Sequence, residues 1–360
     1  MAQSDLKQAK KAKNDEFYTQ WCDIEREVMA YIDYKPDAFR GKTVLLPCDD
    51  PEWSNFTKFF AQNFEAFGLK KLISTSYAYE SKKVNMPYQI SLFEQSAPHF
   101  NPDINKTRGK IFTLDHDTNQ NGVIDIEDLE WQYLEGDGDF RSEEVKKLRD
   151  EADIIITNPP FSLFREFLAW IMEADKKLLI IGNINCLTYR EVFTLIKNNK
   201  VWLGTGMGRA ISGFIVPENY ELYGSEARID ENGNRIVATN SCLWLTNIDH
   251  GRRHQPLKLM TMAENIKHSK HKEIKGHEYQ KYDNYNAIDV PYTDSIPSDY
   301  NGAMGVPVTF LDKYNPEQFE IIDAIGRYSM LTGPTPETQG TYLTEINGKP
   351  KYARVIIKKR

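Results

Sequence analysis

Residues 153–167 read DIIITNPPFSLFREF, and this stretch restricts the fold more tightly than any other. Asp153 to Thr157 is a short apolar run rich in β-branched residues, the pattern of a buried strand. Two prolines follow. They lack an N–H donor and fix φ, so they cannot continue a central ladder. From Leu163 onward leucine, phenylalanine and Trp170 recur at helical spacing, which predicts a helix over 163–174. A rigid, donor-poor elbow therefore follows the carboxyl end of an expected central strand. In open α/β sheets that is where ligands bind.

The flanking sequence supplies the rest of such a sheet. Strands are expected at 42–47, 70–74, 177–182, 200–204 and 241–246, with helices at 54–67, 143–151 and 189–197. Strand and helix in alternation predict a doubly wound α/β fold, mostly parallel, with helices on both faces. With 360 residues there is room for an α/β domain of about 200 residues and a smaller one. Residues 1–248 are expected to form the catalytic domain. Residues 249–300 are polar, aromatic and turn-rich, so 249–360 is expected to be a recognition and C-terminal region.

No apolar run approaches the roughly 18 residues of a membrane span, and MAQSDLKQAKKAKNDEF has no apolar core of a signal peptide. Cys22, Cys48, Cys186 and Cys242 include no CxxC pair, which suits reduced thiols and a cytoplasmic location and argues against structural zinc. The net charge of −7 does not point to nucleic acid, but its distribution does. Residues 250–281 carry eight Lys/Arg against three Glu, and KPKYARVIIKKR at 349–360 carries six basic groups and no acid. Such patches can bind phosphate on an acidic protein, or be solvated faces. Arg252, Arg253, Lys258 and Lys267 are the candidate DNA contacts. His268, His271 and His277 lack cysteine partners and read as a solvated or phosphate-facing surface rather than a metal cluster. Trp131, Trp170 and Trp202 read as core.

The elbow's chemistry follows from its acceptors. The Asn158 side-chain carbonyl and the proline-locked carbonyl of Pro159 are two acceptors in fixed positions. An exocyclic amine that donates to both is drawn toward sp³ geometry and exposes its lone pair to an electrophile. Phe161 can stack on the ring that carries this amine, and Pro160 stiffens the turn. A plain proline turn is the alternative.

NPPF resembles the catalytic motif of S-adenosylmethionine-dependent amino-methyltransferases. The ordered set KNDEFYT (13–19), GDGDFRS (136–142), DIIITNPPFSLFREF, KKLLIIGNIN (176–185), TNIDHGRRH (246–254) and GVPVTFLDKYNPEQFEII (305–322) resembles the EcoRI-type N6-adenine-specific DNA methyltransferase family. The resemblance implies a Rossmann-like methyltransferase sheet and methyl transfer from S-adenosylmethionine to the N6 amine of an adenine flipped out of double-stranded DNA. It implies Asn158, Pro159, Pro160 and Phe161 as the catalytic residues. For the cofactor it implies Phe17, Tyr18 and Thr19 closing over the methionine end, Pro47, Cys48 and Asp49 after the first strand, Asp139 and Phe140 at the adenine, and Asn158. It also implies a monomer that acts alongside a cognate restriction endonuclease. Two departures stand out: the cofactor loop DDPEWSNF has no glycine, and ISTSY after the second strand offers only hydroxyls. Pro47-Cys48 also suggests a cytosine-C5 nucleophile, but it lies on a different strand from the elbow.

DTNQNGVIDIED at 117–128 has the spacing of a calcium loop, with Asp117, Asn119, Asn121, the Val123 carbonyl and Asp128 as candidate ligands. An Asx-rich surface turn is the alternative. Two other functions share these features. One is an RNA or protein-glutamine amino-methyltransferase with the same elbow; the other is a non-catalytic DNA- or calcium-binding protein.

Overall fold

The computed structural model describes residues 18–47, 49, 54–78, 100–207, 211–216, 222, 227–237, 241–325 and 344–360. They form two compact units, residues 1–183 with 208–248, and residues 184–207 with 249–360.

The first unit is built on strands β1 (Thr43–Leu46), β2 (Lys71–Ser76), β3 (Lys110–Leu114), β4 (Glu130–Tyr133), β5 (Ile154–Thr157), β6 (Lys177–Asn183) and β7 (Cys242–Thr246). They lie in the order β4-β3-β2-β1-β5-β6-β7. The pairs β1–β2, β1–β5 and β5–β6 are parallel. The pairs β2–β3, β3–β4 and β6–β7 are antiparallel. The sheet is thus mixed, where the sequence suggested a mostly parallel one. The reason lies in side-chain burial. Every residue of β1 and β5 is buried, so both faces are covered, as parallel strands require. In β3 and β4 buried positions alternate with more exposed ones. Such half-covered strands suit an antiparallel flank, and their short alternation gave no signal of its own.

From β1 the chain builds outward through β2, then returns to place β5 on the other side. The carboxyl ends of β1 and β5 therefore flank the point where strand order reverses, the binding position of doubly wound sheets. Helix α1 (Trp21–Tyr34) buries Asp23, Ile24, Glu27, Val28 and Tyr31 on one face. Its two carboxylates are satisfied there. Ser212 donates to Asp23 through N and Oγ, both at 2.8 Å, and the Tyr31 hydroxyl donates to Glu27 at 2.7 Å. Burial, then the charge of Glu27, raises the Tyr31 pKa well above that of a free phenol. Helix α2 (Asn55–Gln62) is capped by Ser54, whose Oγ accepts from Phe56 N at 3.1 Å. The single helix expected over 54–67 is two, broken at Asn63. Helix α3 (Glu143–Glu151) leads into β5, and α4 (Phe164–Glu173) crosses from β5 to β6 with Phe164, Phe167, Leu168, Trp170 and Ile171 buried.

The second unit holds the helices Arg190–Lys197 and Met262–His268 and a four-stranded sheet. Its strand order is Ile288–Asp289, Met304–Val306, Arg354–Lys359, Phe319–Ile325. Phe310, Phe319 and Val355 to Ile357 fill its core. No described helix is long and apolar enough to cross a membrane.

Candidate active site

The elbow leaves β5 at Thr157. Pro159 is buried and Asn158, Pro160 and Phe161 are half-buried. Phe161–Leu163 forms a single tight turn, closed by Leu163 N donating to Pro160 O at 2.9 Å, before α4 begins. The Phe161 ring packs against the core and meets Phe214 edge-on, centroids 6.2 Å apart.

Phe214 belongs to the strand Phe214–Val216, which pairs antiparallel with Tyr18–Thr19, Thr19 opposite Phe214. Asn55 at the start of α2 donates to Thr19 O at 2.8 Å. Gln20 donates to Ser212 Oγ at 2.7 Å and to Gly213 O at 3.0 Å. The structure thus gathers Tyr18, Thr19, the α2 start, Phe214 and the elbow. Phe214 and Asn55 were missed in the sequence, since nothing local marks them. Phe17 and Cys48 lie outside the described residues.

Asp49, after β1, is buried. Ser54 Oγ donates to its Oδ1 at 2.8 Å and Thr157 Oγ1 to its Oδ2 at 2.6 Å. Pro47 contributes its carbonyl, which Thr157 Oγ1 also meets at 2.9 Å. The turn Asp137 to Phe140 sits against the end of β2. Ala78 N donates to Asp137 O at 2.8 Å. Gly138 has φ +87°, and a Cβ there would lie 2.4 Å from the Ser76 carbonyl oxygen, so only glycine is accommodated. Asp139 is gripped by Arg141, through N at 2.8 Å, Nε at 2.9 Å and Nη2 at 2.6 Å. The Arg141 hydrogen bond holds the Asp139 carboxyl below the usual range. The Phe140 ring is buried against Phe167 and Trp170, at 5.0 and 5.6 Å. Only its backbone is left to meet a ligand.

The loop 117–128 satisfies itself. Asp128 is buried and accepts from Thr118 N and Oγ1, both at 2.9 Å, from Asn119 N at 3.1 Å and from Asp125 N at 3.1 Å. Asp117 accepts from Gly122 N at 2.8 Å, Asn119 Oδ1 from Asn121 N at 3.0 Å and Asn121 Oδ1 from Val123 N at 2.8 Å. These are Asx turns. No group of three or more His, Cys, Asp or Glu among the described residues can hold a metal. Calcium, expected at Asp117, Asn119, Asn121, Val123 and Asp128, is not supported, because the twelfth-position carboxylate is turned inward onto backbone donors.

In the second unit Arg253 is buried, its guanidinium 3.6 Å over the Trp202 ring and bonded to Asn199. Arg252 pairs with Asp312, whose carboxyl is pushed up by burial. Lys258 and Lys267 are exposed. His271 stacks on Tyr292 at 3.6 Å and bonds Asp294 at 2.8 Å.

A family described as adenine-specific methyltransferase EcoRI matches residues 5–360. The Type II methyltransferase M.EcoRI of Escherichia coli is 48% identical over 357 residues, 99% of this chain and 96% of its own length. The Type II methyltransferases M.MpnI of Mycoplasma pneumoniae and M.MgeORF184P of Mycoplasma genitalium are each 34% identical over 359 residues. They cover 98% of this chain, and 97% and 98% of their own lengths. No solved structure matches the chain significantly.

Proposed function

The chain belongs to the adenine-specific EcoRI methyltransferase family, and on that footing we propose that it methylates the N6 amine of an adenine in double-stranded DNA. The observation that carries this reading is the elbow itself. Asn158, Pro159 and Phe161 follow a central strand at the reversal of strand order, beside the loop after β1.

S-adenosylmethionine fits the groups gathered there: an ionised Asp139, a glycine-only approach at Gly138 and the paired segment Tyr18–Thr19. Tyr18, Thr19, Pro47, Asp49, Asn158 and the backbone of Asp139 and Phe140 would hold it. When bound, it supplies an electrophilic methyl group on a sulfonium centre. The residues of the chain position and polarise the base. Asn158 and the Pro159 carbonyl accept the two N6–H bonds, and Phe161 stacks on the flipped ring. Extrusion of that base costs a few kcal/mol, which stacking and edge contacts offset.

Lys258 and Lys267 contact phosphate in this reading, while Arg252 and Arg253 hold the frame of their segment. The chain works in the cytoplasm as a monomer, beside an endonuclease of the same specificity. Long-read sequencing of DNA from cells expressing the protein tests this. N6-methyladenine in one sequence context is expected; unmodified adenine throughout would refute it.

A further inference from the structure

Four hydroxyls converge on Asp49. Ser54 and Thr157 donate to its carboxylate at 2.8 and 2.6 Å, and Thr57 donates to its carbonyl at 3.1 Å, as does Ser74. All five residues are buried. The hydroxyls come from three places: the start of α2, the strand β2, and the last residue of β5. Thr157 is bonded directly to Asn158.

The backbone explains why a tie is needed here. The β1–β5 register consists of Val44 with Ile154 and Leu45 with Ile155. Their ladder ends before Ile156 and Thr157, so these strand ends part at the crevice, while β5 stays paired with β6 through Thr157 and Ile180. Where the ladder stops, the Thr157 hydroxyl spans the gap to Pro47 O and Asp49. An apolar β-branched residue would pack as well in the run Ile154, Ile155, Ile156 but would take a donor from the buried Asp49 carboxylate. The hydroxyl is thus dispensable for packing.

We propose that Thr157 and Asp49 form a positioning latch that sets the gap between the catalytic elbow and the cofactor loop. It rests on the methyl-transfer reading above. In-line transfer needs reacting atoms about 3–3.5 Å apart, and a displacement near 1 Å can cost roughly a hundredfold in rate. Thr157 acts on Asn158 through the chain and touches neither reactant.

The test uses the full chain, tritiated S-adenosylmethionine and unmethylated plasmid DNA. Thr157→Val keeps the shape and removes the hydroxyl. Its kcat is expected to fall about ten- to a hundredfold, with KM for DNA and for cofactor within about threefold of wild type. Thr157→Ser, which keeps the hydroxyl, should recover kcat to within about threefold. A Thr157→Val enzyme with wild-type kcat overturns the latch, as does a Thr157→Ser enzyme equally impaired. If Thr157→Val does not fold, Thr157→Ala decides: the same selective fall in kcat supports the latch, and an unchanged kcat overturns it. A wild type that methylates no DNA would overturn the methyl-transfer reading itself, and the latch's role with it.

Discussion

Replacing Arg253 by alanine separates two roles for the basic segment that follows residue 249. The side chain is 8% exposed. Its losses on truncation include the stack on Trp202 at 3.6 Å, the bond to Asn199, and a loose pairing with Asp249 at 3.7 Å. Asp249 is 46% exposed, so that pairing contributes little. A desolvated cation–π contact is worth about 2 kcal/mol, and a hydrogen bond to a charged group about 1.5–3 kcal/mol. The two overlap in one side chain, so a loss of about 2–4 kcal/mol is expected. At about 2–4 °C per kcal/mol, the second unit should melt roughly 5–15 °C lower, read by scanning calorimetry. DNA affinity of the folded variant should keep its dependence on salt. A phosphate contact would behave oppositely, leaving the midpoint in place while the slope of log K against log salt fell by about 0.9. That result would refute the structural role and return Arg253 to the DNA.

At the elbow, Asn158→Ala should bind DNA normally while turnover at saturating cofactor falls about a hundredfold or more; near-normal turnover would leave the prolines as a plain turn. Phe161→Ala should weaken capture of the flipped base about ten- to a hundredfold, from the roughly 1–3 kcal/mol of one stacked base, read with a fluorescent adenine analogue. Wild-type protein should melt at the same temperature in calcium and in chelator; a calcium-dependent rise abolished by Asp117→Ala would restore the metal reading. His254 is half-buried and its pKa is raised. Burial works against its protonation, but bonds to Asp249 at 2.8 Å and Glu317 at 3.0 Å outweigh this and raise its pKa above 6.5. Its stabilising contribution is full below the unfolded value near 6.5 and is lost as pH rises through the higher folded value. The stability difference between wild type and His254→Gln should shrink over that window; a difference flat in pH would refute it.

Residues 153–167 made the heart of the fold legible because chain neighbours decide it: a β-branched run, two residues that cannot donate, then helical spacing. The same holds for α3, whose charged stretch and Ser142 cap are local. What escaped notice depends on partners far along the chain. The tie from Asp49 to Thr157, 108 residues away, cannot be read from the neighbours of either. The seat that Trp202 and Asn199 give Arg253 is equally hidden from its chain neighbours. The loop 117–128 misled for another reason. Calcium coordination and Asx turns ask for the same residues at nearly the same spacing, and only the direction of the carboxylates separates them. In Asp128 they face inward.

The pairing of Thr19 with Phe214 also sets a clock on the newborn chain. Synthesis at about 5–20 residues per second delivers the elbow before its wall, and the first strand long before either. For roughly 10–40 s after Tyr18 and Thr19 have been made, their antiparallel partner does not yet exist, and Asp23 has no Ser212 to receive. A ribosome that stalls before residue 212 releases a chain whose first helix carries Asp23 without its Ser212 donors on the side meant for the core. Completion of the site is in this way tied to translation past that point. A copy cut short there should be cleared by proteases rather than persist as a half-built enzyme.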